Sequence, residues 1–156
     1  MSSDLVTMEH PDLVGTEIGG VRKTDAYGTE FVKAYAVQAC VVNTPYALGI
    51  GAYGFQAVTP AAAGTDNQIV IADEAIATGA YGWLATRGVH ELLVAGDAKG
   101  TAGDAIKVHT DGTVVSTDAA KSVTGVDEFA VLLEAHATGT SVTSLVYLSD
   151  EVVTWT

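Results

Sequence analysis

The most apolar stretch of the chain runs from Gly79 to Gly96, and its pattern predicts a long β-strand. Side chains alternate along residues 81–86 and again along 89–95 with the period of two that is expected of a strand. Neither face of this alternation is consistently polar, which favours a strand buried largely on both sides, with Trp83 in the core. Gly88 divides the stretch, and we interpret it as a bend or bulge of the kind that turns a corner in small barrels.

Shorter segments along the rest of the chain also have the pattern of strands. Residues 16–23 fit an edge strand or an ordered loop equally well, and the glycine-rich, aromatic segment 46–58 predicts short strands with bulges. The predicted strands outside the central stretch are 29–36, 38–43, 68–72, 105–109, 113–117, 128–135 and 142–148. Asp111-Gly112 is a favoured hairpin turn pair, and loops are predicted at 60–67 and 118–127. No segment has the pattern of an amphipathic helix longer than two turns. The sequence therefore predicts an all-β fold, either a small β-barrel or a β-sandwich.

The first fifteen residues differ from the rest, because apolar and acidic side chains are mixed there without a clear period. One interpretation is a frayed terminus; the other is an extended N-terminal arm that docks on a partner or a neighbouring subunit. The apolar residues available for such docking are Leu5, Val6, Met8, Leu13 and Val14. Residues 16–156 form a single β domain in this interpretation. Trp155 is a further candidate partner contact, since an aromatic side chain near a terminus can be either docked or free.

The charge of the chain is one-sided, with 19 acidic against 7 basic residues and a net charge of −12. A chain of this charge repels phosphate backbones and anionic lipid surfaces, and its basic residues form no run. We therefore expect no nucleic-acid partner and no membrane partner. The N-terminal residues lack the pattern of a signal peptide, and the longest uncharged stretch is broken by proline and glycine, so no membrane helix is expected.

The residue types that carry chemistry do not form a recognisable site. The histidines lack metal-ligand spacing, the single cysteine, Cys40, has no second cysteine to pair with, and no nucleophile elbow is present. We expect Cys40 to be a small buried apolar residue. Gly49–Gly54 matches a dinucleotide-binding fingerprint in letters only, because no helix is predicted after it. The sequence thus predicts no catalytic residue, no metal and no cofactor.

Several segments resemble the head decoration (cement) proteins of tailed bacteriophages. The likeness begins with YGW at 81–83, the Arg87-Gly88 step and the LLV run that ends near Gly96. It continues through TAGDAIKVHTDGTVVS and EFAVLLEAHATGTSVTSLVYL, and upstream through GTEFVKAYA, so that it covers roughly residues 16–148. It is a likeness of spacing and residue type, and it leaves out the first fifteen residues and the terminal EVVTWT.

The resemblance implies a structural protein of the virion that binds the outer surface of an icosahedral head. It implies the major capsid protein as the partner, a homotrimer at threefold positions and assembly in the host cytoplasm. Two other functions are alternative hypotheses. One is a carbohydrate-binding adhesion module of the tail or fibre type, and the other is a small hydrolase whose site the sequence does not reveal.

Overall fold

The computed structural model describes residues 20–58, 68–94, 100–108, 114–116, 128–135 and 141–149. Within these residues the chain forms ten β-strands and no helix. The strands are β1 (Arg22–Thr24), β2 (Glu30–Ala36), β3 (Pro45–Gly51), β4 (Gly54–Val58), β5 (Gln68–Ala72), β6 (Tyr81–Val94), β7 (Ala105–Val108), β8 (Val114–Ser116), β9 (Glu128–Leu132) and β10 (Val142–Leu148).

Five of these strands close into a barrel. The strand order is β2-β4-β3-β5-β6, and β6 returns to pair with β2, so that the ring has no open edge. The β2–β4 pair is parallel, and the other four pairs are antiparallel. Strand β1 extends the barrel wall beside β2. The predicted all-β fold is confirmed, and of its two forms the structure has the barrel.

The long strand β6 belongs to two sheets, because it changes its neighbour between Arg87 and Gly88. Its first half pairs with β2, ending at Arg87 opposite Glu30. Its second half pairs with β10, beginning at Gly88 opposite Leu148, and β10 is followed by β9, β7 and β8. Gly88 has φ of +102°, a conformation that side-chain-bearing residues rarely adopt. The predicted bend at Gly88 is therefore confirmed, and it starts a second sheet.

The second sheet lies against the outer wall of the barrel, and this gives the protein two hydrophobic cores. The barrel interior is filled by side chains such as Val32, Val70 and Leu84, all fully buried. Because alternate residues of a strand face opposite sides, the neighbouring Phe31, Ile71 and Ala85 face outward from the barrel. They pack in the second core with inward-facing residues of the second sheet, which are Leu92, Val94, Ile106, Phe129, Ala130, Leu132, Val146 and Leu148.

Most of the predicted strands are present, but the prediction of a strand at 38–43 is wrong. Cys40 makes only an isolated bridge with Ile76, and the chain turns at Asn43, which has φ of 59°. A left-handed residue at this point interrupts extended pairing, and the strand that follows starts at Pro45. Segment 16–23 was interpreted as an edge strand or an ordered loop, and it ends in the edge strand β1. The loops predicted at 60–67 and 118–127 lie outside the described residues.

The expectation that the central strand is buried on both sides is correct only around residues 84–86; nearer its start, Tyr81 and Trp83 are half-buried on the outer wall. In the second half, Val89, Glu91 and Leu93 are exposed, while Leu92 and Val94 on the other side are fully buried. Trp83 is half-buried rather than enclosed in the core. The physical reason is partial cover: the second sheet covers the barrel wall near Ala85 but not near Tyr81, and beyond Gly88 the strand belongs to a sheet that is covered on one side.

Candidate binding surfaces

The outward side of the second sheet is an apolar surface, which we call the outer apolar face. Register places Tyr147 opposite Val89 and Thr143 opposite Leu93, with Leu145 between them opposite Glu91. The apolar members of the face are Val89, Leu93, Leu133, Leu145 and Tyr147, which are between 40% and 46% exposed. An uncovered group of large apolar side chains on neighbouring strands is typical of a surface that contacts another molecule.

An open depression of about 360 Å³ lies at one border of this face. Its apolar walls are Val42, Val89 and Leu145, and its polar lining is Asn43, Asp73, His90 and Glu91. The segment that ends at Asn43 is held against β6 by two bonds: the Leu93 N–H donates to the Asn43 carbonyl at 2.8 Å, and the Asn43 amide donates to the Glu91 carboxylate at 3.3 Å.

His90 and Asp73 form an ion-pair geometry in this depression. The His90 Nε2 atom lies 2.9 Å from Asp73 Oδ1, and its Nδ1 atom lies 2.7 Å from the Glu91 carbonyl oxygen. Both ring nitrogens thus have partners, so His90 is a hydrogen-bonded histidine within β6. A histidine–aspartate pair orients a base in hydrolases, but no hydroxyl or thiol lines this depression. The described residues contain no group of three potential metal ligands.

Cys40 lies inside the barrel core and is 3% exposed, as predicted. Burial raises the pKa of its thiol to about 11, because the thiolate would lose its hydration there. Burial also raises the pKa of the nearby Tyr46 phenol, whose oxygen accepts a hydrogen bond from the Val41 N–H at 2.7 Å. A thiol with a raised pKa is a poor nucleophile, which fits a packing role for Cys40.

A second surface lies on the barrel wall where it emerges from beneath the second sheet; we call it the aromatic–lysine strip. It is built on the paired strands β2 and β6, whose register places Tyr35 opposite Tyr81 and Lys33 opposite Trp83. At its open end the β3–β4 turn adds Tyr53, whose ring stacks on Tyr35 with centroids 4.3 Å apart. The edge strand β1 adds Lys23 at the other end.

The lysines of the strip lie over its indole ring. The Lys23 ammonium is 4.3 Å from the Trp83 ring centroid, and the Lys33 ammonium is 5.7 Å from the same centroid. A cation is attracted to the negative face of an aromatic ring, so these contacts hold two positive charges close together. The strip therefore brings two lysine side chains together on one ring, beside the Glu74 carboxylate that accepts from the Trp83 backbone N–H at 3.1 Å.

The site residues expected from the sequence are not among those placed by the structure. The five arm residues Leu5, Val6, Met8, Leu13 and Val14, and also Trp155, all lie outside the described residues. Neither the outer apolar face nor the aromatic–lysine strip was predicted from the sequence. The strand predicted at 142–148 is present as β10. The exposure of the facing residues on β6 depends on what covers them, and a strand pattern does not contain this information.

The fold is similar to that of a bacteriophage head protein. The crystal structure of the N base of the head fibre gp8.5 of bacteriophage phi29 matches with a TM-score of 0.51 and 18% sequence identity. The match covers 80% of this chain and 98% of that one. No protein-family model matches the sequence, and neither does any curated protein.

At this level of identity the likeness concerns the fold, and the surfaces must be interpreted from this chain's own residues. Nothing in the likeness assigns a role to the outer apolar face or to the aromatic–lysine strip. Within the residues that the structure describes, no helix is long and apolar enough to cross a bilayer.

Proposed function

We propose that this protein is a structural component of a tailed-phage head, a decoration (cement) protein that binds the outer surface of the capsid. The observation that carries the proposal is the fold likeness to the head fibre base, which extends over nearly the whole of that chain. The sequence resemblance to decoration proteins, over roughly residues 16–148, supports the same placement. In this proposal the protein joins the virion after synthesis in the host cytoplasm.

The outer apolar face is the docking surface in this proposal. The net charge of −12 keeps the protein soluble by disfavouring non-specific association, because like-charged molecules repel one another. The face presents apolar side chains that gain free energy when a partner surface excludes water from them. Because this contact is mainly apolar, moderate salt should weaken it little.

Several copies acting together would give the stabilising effect. We propose a homotrimer at threefold positions that contacts several copies of the major capsid protein, with residues 1–15 as an additional linking arm. Linked contacts bind far more tightly than each contact alone, since the later contacts form without loss of further translational freedom. The function would then be mechanical: the protein opposes the pressure of the packaged DNA and performs no catalysis.

The test is to mix purified protein with undecorated heads before and after shell expansion. Saturable binding to expanded heads, together with a higher temperature of DNA release, is the expected result. Binding restricted to expanded heads would indicate a footprint across subunits whose spacing changes on expansion. No binding to either form, or binding without a gain in heat resistance, would exclude the cement function.

A second candidate function is a carbohydrate-binding adhesion module, and the aromatic–lysine strip is the specific observation that favours it. Exposed aromatic rings beside charged groups offer a sugar ligand both a stacking surface and charge-assisted hydrogen bonds. The two functions are compatible, because the strip and the outer apolar face involve different residues.

A further inference from the structure

We propose that the aromatic–lysine strip binds an acidic saccharide, with sugar rings on its tyrosine side chains and a carboxylate or sulfate on its lysines. This inference goes beyond head binding and does not depend on it. It rests on two features of the strip: an open aromatic face and two ammonium groups over one indole ring.

The aromatic part of the strip ends in an accessible ring. Tyr53 is 55% exposed, and only one of its faces is used in stacking on Tyr35. Tyr81 meets Tyr35 edge-on, with centroids 5.4 Å apart, and its hydroxyl group donates to the Tyr53 carbonyl oxygen at 3.5 Å. These contacts hold the three rings in fixed positions before any ligand arrives. The C–H face of a pyranose carries partial positive charge and packs on the negative face of such a ring.

The charged part of the strip selects an acidic ligand over a neutral one. The ammonium of Lys23 lies over both Phe31 and Trp83, at 5.1 and 4.3 Å from the ring centroids. Its surroundings are therefore aromatic, and an anion can approach it from the solvent side to form a charge-assisted hydrogen bond. Lys23 and Lys33 already lie over the Trp83 ring, so this ring holds the cations in place. The sugar ring of the ligand therefore stacks on Tyr53.

The arrangement favours a saccharide over an acidic peptide or a nucleic acid. An acidic peptide needs cations but gains little from a rigid set of three tyrosine rings. A nucleic acid would bring many negatively charged phosphates close to a chain of net charge −12. The two lysines of the strip offset only a small part of that charge. A short acidic saccharide uses both features, because its carboxylates meet the lysines and the C–H faces of its sugars meet the tyrosine rings.

The test uses the full-length protein, labelled with ¹⁵N, and three defined probes: hexagalacturonate, its fully methyl-esterified form and hexaglutamate. Hexagalacturonate should produce saturable shifts in the Trp83 indole resonance and in the amides of β2 and the first half of β6. The methyl ester keeps the sugar rings and removes the charge, so it should bind about tenfold more weakly. Hexaglutamate carries the charge without the rings and should be weaker than hexagalacturonate.

Matched variants locate the site. Lys23→Gln should weaken binding of hexagalacturonate about tenfold without changing the affinity for the methyl ester, while Lys23→Arg should retain most of the affinity. Tyr53→Ala should weaken both saccharides. Lys107→Gln and Tyr27→Ala, outside the strip, should leave both affinities unchanged, and each variant is checked for the wild-type strand spectrum by circular dichroism.

Four results would overturn the proposal. Equal affinity for the ester and the acid would remove the role of the lysines. Equal or tighter binding of hexaglutamate would assign the strip to an acidic protein partner. Shifts confined to residues outside the strip would place the ligand elsewhere, and the absence of saturable shifts with every probe would show that no saccharide site exists. None of these results bears on binding to heads.

Discussion

Gly88 and Thr29 approach each other so closely that a Cβ atom on Gly88 would lie 2.9 Å from the Cα atom of Thr29. Thr29 is almost fully buried, and its hydroxyl group donates to the carbonyl oxygen of Val89 at 2.9 Å. The start of β2 is thereby fixed to the point at which β6 leaves the barrel. This contact lies at the point where the second sheet begins.

The first prediction concerns that contact. Gly88→Ala should lower the free energy of unfolding by about 3 kcal/mol, because the new methyl group meets backbone and the residue keeps a positive φ. Gly28→Ala is the matched control: Gly28 also has positive φ, of +84°, but nothing lies within 4 Å of its Cβ position. It should cost only about 1 kcal/mol. Urea unfolding of both variants measures the difference, and equal costs would show that the Thr29 contact is unimportant.

The second prediction compares neighbouring residues on opposite faces of β6. Leu84 is fully buried in the barrel core, so Leu84→Ala should cost about 3–5 kcal/mol through lost burial and the cavity that remains. Trp83 is half-buried on the outer wall, and Trp83→Ala should cost less, about 2 kcal/mol.

A spectroscopic measurement gives an independent check on Trp83. In a Trp155→Phe background, the remaining indole should be quenched by acrylamide to a degree intermediate between a free and an enclosed tryptophan. Complete protection of the Trp83 indole from the quencher would show that Trp83 lies in the core, as expected from the sequence. So would a loss of stability in Trp83→Ala larger than that in Leu84→Ala.

The third prediction is a dependence of stability on pH that comes from Cys40. Burial raises the thiol pKa in the folded protein to about 11, from an ordinary value of about 9. The fold therefore favours the neutral thiol, and the stability that this adds is fully present below about pH 9 and is lost as the pH rises towards 11. Wild type should thus lose stability relative to Cys40→Ala over this range, in urea unfolding at matched pH values.

The Tyr46 phenol also has a raised pKa, chiefly through burial and in part through Cys40 itself, so the comparison is made in a Tyr46→Phe background that removes the phenol titration. A second measurement is the reaction of the thiol with a disulfide reagent near neutral pH. It should proceed only as fast as the protein opens. If Cys40 in the folded protein reacted as fast as free cysteine in solution, the thiol would not be buried.

The fourth prediction tests the outer apolar face as the docking surface. Leu93→Gln and Leu145→Gln replace exposed side chains by uncharged polar ones, so each should change stability by less than about 1 kcal/mol. If the face contacts the capsid, both should reduce the occupancy of expanded heads in a pelleting assay. Ile50→Gln is the control, since Ile50 is 83% exposed on the barrel, away from this face. Equal occupancy for all three variants would place the contact elsewhere.

The fifth prediction concerns the terminal segments. Deletion of residues 1–15 should leave the strand content unchanged and weaken assembly on heads, if Leu5, Val6, Met8, Leu13 and Val14 anchor an arm. Trp155→Ala should likewise affect partner binding more than stability. Unchanged occupancy after the deletion would favour the frayed-terminus interpretation of the first fifteen residues.

The sequence predicted the strands better than it predicted their surroundings. The alternation around Gly88, the segment 68–72 and the hairpin of β7 and β8 are present as expected, because each depends on local period and turn chemistry. Closure of the barrel depends on pairing between β2 and β6, which are about fifty residues apart in the chain. No local pattern records that pairing.

The candidate surfaces were hidden for the same reason. Lys33 and Tyr35 share one face of β2, and Tyr81 and Trp83 share one face of β6, and both facts can be read from the sequence. Only the register of the two strands brings the four side chains together as cross-strand pairs. The error over Trp83 has a similar origin, because apolar composition indicates burial without stating how much of a large ring is covered.

The change of neighbour along β6 also determines how the protein would respond to tension. A strand of 14 residues is about 46 Å long, and here one half is bonded to the barrel and the other half to the second sheet. A pull on the second sheet along the axis of β6 would load the hydrogen bonds of both halves in shear, so that many of them must break together. A pull across the sheet would instead separate β10 from β6 one bond at a time. The molecule should therefore be mechanically strong in one direction and weak in the perpendicular one.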